Sequence, residues 1–323
     1  MRVLVTGATG YMGGYLVPRL LAEGHALRCL ARTPDRLWDR PWPGVEIVRG
    51  DLEEPAAMAR ALEGVGVAYY LVRSRAGGRI ERERDAQLAF AFGQAARRAG
   101  VRRLICLGGL GGPEAWSGRP LPSQPEVGAS LAEAGVPVVE FRAGVIVGPG
   151  SAGFELVRRL AGPLPLAFAP HWVEARCQPI GLRSVLDYLA EALVRPEVRG
   201  IYEIGGTEVL SYRDMALGYA RARGLRRALL ASPVPPSVFG SWLFDRLTRS
   251  LPRGAGLLEG PPAGAVVRDQ RALRAFSGRP GGYAEALALA LGQAAEPLGR
   301  SGAPSLAARR WPRGDDLGAD RSA

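Results

Sequence analysis

The sequence predicts an α/β fold, a doubly wound parallel sheet with a small, mostly helical C-terminal cap. Three observations carry that expectation. Short β-branched or apolar runs alternate with longer helical stretches through roughly the first two hundred residues, a glycine-punctuated turn joins the first strand directly to the first helix, and the alternation stops after Gly205-Gly206. Parallel strands need crossover connections, usually helices, so this rhythm places helices on both faces of one sheet.

The first strand is Arg2–Thr6, followed by a helix over Tyr11–Glu23 and a second strand, Ala26–Ala31. Val45–Val48 reads as the third strand, and Glu53–Leu62 as an Ala-rich helix. Then come the strand Gly66–Val72, a long helix Glu83–Ala99, the strand Arg103–Leu107, a helix Glu126–Ala134 and the strand Val136–Phe141. After Gly148-Pro149-Gly150 the rhythm changes: a helix Ala152–Leu160 runs into the Pro-rich segment Gly162–Pro170. It returns as Pro179–Leu182, the helix Ser184–Val194 and the strand Gly200–Ile204, and helices are expected at Tyr212–Arg223, Pro236–Leu251 and Tyr283–Leu291. The expected organisation is therefore a dinucleotide-binding domain over 1–150, to which 176–206 returns. A cap or substrate region spans 151–175 and 207–295, and a disordered tail of Arg, Gly, Pro, Ser and Asp occupies 296–323.

With 323 residues, 47% of them hydrophobic, the chain can bury a substantial core. All 42 basic residues are arginine, against 31 acidic ones, and neither lysine nor asparagine occurs. GC-rich codon usage accounts for such an excess, and no recognition motif or aromatic interleaving accompanies it, so no nucleic-acid partner is expected. The absence of lysine excludes a Walker-type phosphate lysine and a Schiff-base lysine. His25 and His171 alone cannot build a His-rich metal site, and no metal is expected. Cys29, Cys106 and Cys177 are widely spaced and read as buried thiols of a reducing compartment. No leader and no run of ~18 apolar residues is read, which makes a cytoplasmic rather than integral membrane protein the expectation.

Thr6-Gly7-Ala8-Thr9-Gly10-Tyr11-Met12-Gly13 lies between the first strand and the first helix, the position where glycines bring backbone amides and a helix N-terminus against a pyrophosphate. At the end of the second strand an acid would bind a ribose hydroxyl and an arginine a 2′-phosphate. Here no acid stands, Arg32 does, and Arg36 follows a turn later, so NADP(H) is expected over NAD(H). Asp51, ending the third strand, suits either an adenine amine or the cap of the following helix.

With Gly50-Asp51-Leu52, Gly100 to Gly108, Phe141-Arg142-Ala143 through Pro149 and Tyr202 to Gly206 added to the phosphate loop, the chain resembles the short-chain dehydrogenase/reductase superfamily. The likeness is to its atypical, extended branch, which includes NmrA-like proteins, triphenylmethane reductase and the 39-kDa accessory subunit of respiratory complex I. It covers about residues 1–292, with Leu257 to Gly260, Val266 to Asp269 and Tyr283 to Leu287 resembling the last part of such proteins. The resemblance implies a Rossmann fold, with Leu52, Leu71 and Gly108 joining Thr6, Gly7, Thr9, Gly10, Tyr11, Met12, Gly13, Arg32, Arg36 and Asp51 around the cofactor.

The branch's usual chemistry uses a serine after the fifth strand and a Tyr-x-x-x-Lys on the next helix. Those positions fall near Leu121 and Pro125, no tyrosine lies between Tyr70 and Tyr188, and there is no lysine, so no change of register restores the motif. Ser74, Ser123 and Tyr188 are the replacement candidates; Ser123, which opens the next helix with Glu126, suits a helix cap at least as well, and for Tyr188, among apolar neighbours on a later helix, core packing is the favoured reading. His171, Trp172 and Gln178, with Arg176, are candidates to line a substrate pocket or to support the cap, and Trp242, Phe239 and Phe244 add apolar surface or cap core. Two functions follow. One is a reductase passing hydride to a small hydrophobic, electron-poor acceptor such as a quinone, enone or cationic dye. The other is a non-catalytic NADP(H) sensor or assembly factor with a protein partner.

Overall fold

Val3, Leu4 and Val5 are completely buried, because the strand they form, β1 (Arg2–Thr6), has helices on both sides and no solvent face. The computed structural model describes residues 1–38, 42–72, 79–110, 127–162, 166–169, 171–231 and 264–292. Its main sheet has seven strands, all parallel. Besides β1 they are β2 (Ala26–Ala31), β3 (Glu46–Arg49), β4 (Val65–Tyr70), β5 (Arg103–Gly109), β6 (Val138–Ala143) and, after a strand outside this sheet, β8 (Gly200–Ile204). They lie in the order β8-β6-β5-β4-β1-β2-β3. The order reverses between β1 and β4, which opens a crevice at their carboxyl ends.

Period-2 alternation divides the core. Val3, Val5, Tyr69, Ile105 and Phe141 face α1 (Tyr11–Ala22) and a later helix, Leu182–Val194. Leu4, Tyr70, Leu104 and Cys106 face the opposite helices Pro55–Leu62, Arg79–Arg98 and Val127–Glu133. In chain order these helices are α3 (Pro55–Leu62), α4 (Arg79–Arg98), α5 (Val127–Glu133) and α7 (Leu182–Val194), with the single turn α2 (Asp35–Trp38) and α6 (Ala152–Leu160) between them. Two buried arginines on the sheet close helices, since the last carbonyls of a helix have no internal partners. Arg28 Nη1 donates to the carbonyls of Arg60, Ala61 and Glu63 at 3.0, 2.9 and 2.7 Å, ending α3. Arg103 donates to the carbonyls of Leu193 and Arg195, ending α7.

Several boundaries differ from the sequence reading. The helix expected from Glu53 starts at Pro55, where proline's fixed φ suits the first helical position, with Glu54 as its N-cap. The strand expected at Val136–Phe141 runs Val138–Ala143: Pro137 has no amide hydrogen for the ladder, and pairing with β5 carries on through Gly108↔Arg142 and Gly109↔Ala143.

The second cluster is built on α6, α8 (Tyr212–Ala222) and α10 (Tyr283–Ala290), with Phe154, Trp172, Tyr212 and Tyr283 at its centre. Leu229 joins it from the strand β9 (Ala228–Ala231), which pairs in parallel with β7 (Leu166–Ala169), two strands the sequence reading lacked. The short helix α9 (Arg271–Ala275) lies against β8, and Phe276 after it enters the core of the main sheet, 5.1 to 5.5 Å from the rings of Phe141, Tyr188 and Tyr202. The expected helix Pro236–Leu251 and the expected tail 296–323 lie outside the described residues. All three cysteines are buried and form no disulfide. Among the described residues no helix is long and apolar enough to cross a membrane, and no group of three metal-ligating side chains occurs.

Candidate dinucleotide-binding site

The crevice floor is the turn between β1 and α1. Gly7 has φ +73°, a left-handed conformation that glycine adopts at no steric cost, and a Cβ there would stand 2.8 Å from the Leu71 carbonyl oxygen, just beyond β4. Gly13 is tighter: a Cβ would lie 2.4 Å from the Gly7 oxygen and 2.7 Å from the Ala8 Cα, so the first turn of α1 rests directly on the loop. Gly10 is the exposed N-cap and offers no side-chain hydrogen bond to the helix, so the amides of the first turn have no side-chain cap. Bare backbone amides at a positive helix end are what a pyrophosphate requires, and the cradle fits one.

Around this floor the expected residues divide. Thr6 is buried, its hydroxyl donating to the Tyr69 carbonyl at 3.0 Å and accepting from the Leu71 amide at 3.4 Å, so it ties β1 to β4 beneath the crevice. Met12 is buried in the core, Thr9 is half-buried, and Tyr11 packs edge-on against Tyr15 with centroids 5.2 Å apart. Burial pushes the Tyr11 phenol well above its ordinary pKa. Arg32, just past β2, is 80% exposed and its Nε stands 3.7 Å from Asp51 Oδ2. Asp51 does not cap α3; its Oδ1 accepts from the Glu53 amide at 3.4 Å in the turn before the helix. Leu52 is buried, Leu71 runs under Gly7, and Gly108 stands near the end of β5. The side chain of Arg36, in α2, lies outside the described residues.

The catalytic candidates fare differently. Ser74, Ser123 and Glu126 lie outside the described residues. Tyr188 is not a crevice residue: it is buried in α7 against Phe141 and Phe276, at centroid distances of 5.7 and 5.5 Å, and burial pushes its phenol up to about 12. Trp172 is likewise buried, edge-on to Tyr212 at 5.8 Å, and forms cap core instead of a pocket wall. Gln178 is a clamp: its Nε2 donates to the Gly206 carbonyl at 2.6 Å and its Oε1 accepts from the Val267 amide at 3.1 Å, so both ends of the amide hold backbone. Arg176 is exposed on the short strand Arg176–Cys177, and the His171 side chain lies outside the described residues.

One pair toward the carboxyl end of β6 escaped the sequence reading as a site. Glu140 and Arg142 share a face of β6, two residues apart, and Arg142 Nε is 2.9 Å from Glu140 Oε1. Glu140 is buried although it is a carboxylate. An acid and an arginine at i and i+2 in an otherwise apolar strand was the available signal.

A parallel sheet with a bare glycine cradle at its switch point defines an NAD(P)-binding Rossmann protein. Comparisons agree. A family profile described as NAD(P)H-binding matches residues 7–135. The (4-alkanoyl-5-oxo-2,5-dihydrofuran-3-yl)methyl phosphate reductase of Streptomyces griseus is 30% identical over 254 residues, 72% of this chain and 82% of that protein. Among solved structures, a nucleoside-diphosphate-sugar epimerase from Staphylococcus aureus superposes with a TM-score of 0.69 at 17% identity, covering 89% of this chain and 99% of that one. The NADPH-dependent quinone oxidoreductase of Escherichia coli, in complex with NADPH, gives 0.67 at 18% identity, covering 90% and 99%. These two likenesses establish the fold alone. The chain belongs to the NAD(P)H-binding family, which has reductases among its members.

Proposed function

We propose that this protein is an NADP(H)-dependent reductase that passes hydride to a small hydrophobic, electron-poor acceptor, without the Tyr-x-x-x-Lys pair. The observation that carries the reading is the bare cradle of Gly7, Gly10 and Gly13 combined with Arg32, exposed at the end of β2 where a 2′-phosphate would lie. The named substrate of the Streptomyces griseus relative, an oxo-dihydrofuran phosphate, supports an activated carbon acceptor. When bound, the dinucleotide supplies the hydride. The chain's own residues do the rest. First-turn amides of α1 hold the pyrophosphate, Arg32 takes the 2′-phosphate in place of Asp51, and Leu71 and Gly108 border the nicotinamide half.

Phenols on the described tyrosines with shifted pKa values, Tyr11, Tyr69, Tyr70, Tyr188, Tyr212 and Tyr283, are all raised by burial. None of these is poised to exchange a proton near neutrality, and acceptors of this class can take the completing proton from water. Positioning then carries the rate, which suits acceptors whose electrophilic carbon needs little acid assistance. A stopped-flow screen of NADPH oxidation against quinones, enones and cationic dyes tests the reading. Turnover above the buffer blank is expected. Tight NADPH binding with no oxidation by any acceptor would instead indicate a sensor or assembly factor.

A further inference from the structure

We infer that Arg142 is an oxyanion-binding residue of the reaction and that Glu140 is the residue that positions it. The inference rests on the reductase reading above and adds the group that receives negative charge when hydride arrives. Strand alternation points both side chains to the α5 side of the sheet, and the register Gly108↔Arg142 brings the arginine to the carboxyl ends of β5 and β6. With the pyrophosphate at the switch point and the adenine half on the side of β2 and β3, the nicotinamide half falls on the side of β4, β5 and β6, where β6 stands two strands beyond β4.

The pair is built, not incidental. Glu140 has only 6% of its side chain exposed, and two elements omit side chains around it. A Cβ at Gly108 would stand 2.7 Å from Oε1, and one at Gly128, on α5, would fall 2.0 Å from Oε2. Burying a carboxylate is costly, and well-packed apolar residues at such a place would often stabilise a fold as well or better. What the carboxylate does supply is orientation: Nε to Oε1 at 2.9 Å and Nη2 to Oε2 at 3.4 Å fix the plane of the guanidinium by its Nε edge. Arg142 itself keeps 20% exposure at the crevice end of the strand.

A fixed guanidinium is suited to charge, not to proton transfer, because it stays protonated throughout the working pH range. In reduction of an enone or quinone, a C–H bond of the reduced nicotinamide would break, leaving the cofactor oxidised by two electrons, and its hydride would form a C–H bond at the electrophilic carbon. The π pair moves through the conjugated system onto the carbonyl oxygen, and that oxygen, now an enolate or phenolate, later takes a proton from water. A preorganised cation beside the oxygen lowers the barrier without being consumed. In a chain without lysine, Arg142 fills the electrostatic part of the role left open there.

The test uses Arg142→Ala, Arg142→Lys and Glu140→Gln in the full chain. With a neutral enone or quinone, Arg142→Ala should lower kcat about a hundredfold while NADPH affinity stays within about twofold, and added guanidinium ion should restore part of the loss. Arg142→Lys should recover part of it, and Glu140→Gln should show an intermediate fall. A second readout needs no turnover: 4-nitrophenol should bind the NADP⁺ complex of the parent protein as the phenolate, seen in its absorption band, and the Arg142→Ala complex should not ionise it. Unchanged kcat together with unchanged phenolate binding overturns the inference, as does a loss confined to KM for anionic acceptors, which would make Arg142 a substrate anchor. If the parent protein reduces no acceptor, the reductase reading fails, and the phenolate measurement still decides on Arg142.

Discussion

Arg32, just past β2, and Asp51, just past β3, approach within 3.7 Å across the outer end of the crevice, and the arginine is 80% exposed. An exposed pair of this kind contributes little, so Arg32 can leave Asp51 for a phosphate at small cost. Charge-assisted bonds to a 2′-phosphate are stronger. Arg32→Ala should therefore weaken NADPH binding about tenfold, corresponding to about 1.4 kcal/mol, and leave NADH within about twofold. Asp51→Asn should leave NADPH binding equal or tighter. Fluorescence titration of both nucleotides at low and high salt checks this, and equal affinities in the parent protein would remove the NADP preference.

Gly13→Ala tests the cradle. The new methyl would meet only backbone, the Gly7 oxygen at 2.4 Å and the Ala8 Cα at 2.7 Å, so the loop or the helix must move. Overpacking of this sort costs about 1–3 kcal/mol. The variant should melt lower and lose NADPH binding together, whereas a variant that melts lower but binds normally would show that the loop adjusts without losing its amide geometry.

The sheet was legible because each strand's burial is written locally: Val3, Leu4 and Val5 form an apolar run whatever their partners. The phosphate cradle was legible for a similar reason, since glycines with a fixed spacing in a strand-to-helix turn leave few alternatives. Glu140 and Arg142 were not, because their importance lies in register with β5 and in the side chain that Gly128 omits, both set by pairing between segments distant in sequence. For Gln178 and Tyr188 the sequence leaves chemistry and structure both open, and the contacts fit the structural readings, support of the cap and core packing. Each has a functional-looking group, and only the tertiary structure shows the amide holding Gly206 and Val267 and the phenol ring packed on Phe276.

Arg28 provides a stability test away from the crevice. Its guanidinium closes α3 through three carbonyls and its Nε stands 2.9 Å from Glu46 Oε2. Arg28→Met keeps much of the packing but strands those carbonyls, at a cost of about 3 kcal/mol. Chemical denaturation should show the loss, with NADPH affinity in the remaining folded protein little changed.

Tyr188→Phe separates core from chemistry. The ring contacts with Phe141 and Phe276 survive the substitution, so turnover should stay within about twofold of the parent. Loss of turnover in a variant with an unchanged melting temperature would return Tyr188 to the catalytic candidates.

Alkaline pH should expose the buried acids of the core. Burial pushes the Cys177 thiol and the Tyr188 phenol up to about 12, from ordinary values of 9.0 and 10.0, and raises Tyr69 and Tyr212 as well. Below about pH 8 these groups are protonated in folded and unfolded chains alike and contribute no slope. Between about pH 9 and 12 the unfolded chain releases protons that the folded chain retains, so the unfolded state binds fewer protons and stability falls as pH rises. Cys177 begins this fall and the tyrosines steepen it from about pH 10, each by up to about 1.4 kcal/mol per pH unit. Urea midpoints should be level with respect to these groups between about pH 7 and 8 and drop above about pH 9, and Cys177→Val should delay the onset toward pH 10. A midpoint that holds to about pH 11 would mean that these groups ionise as readily in the folded chain as in the unfolded one.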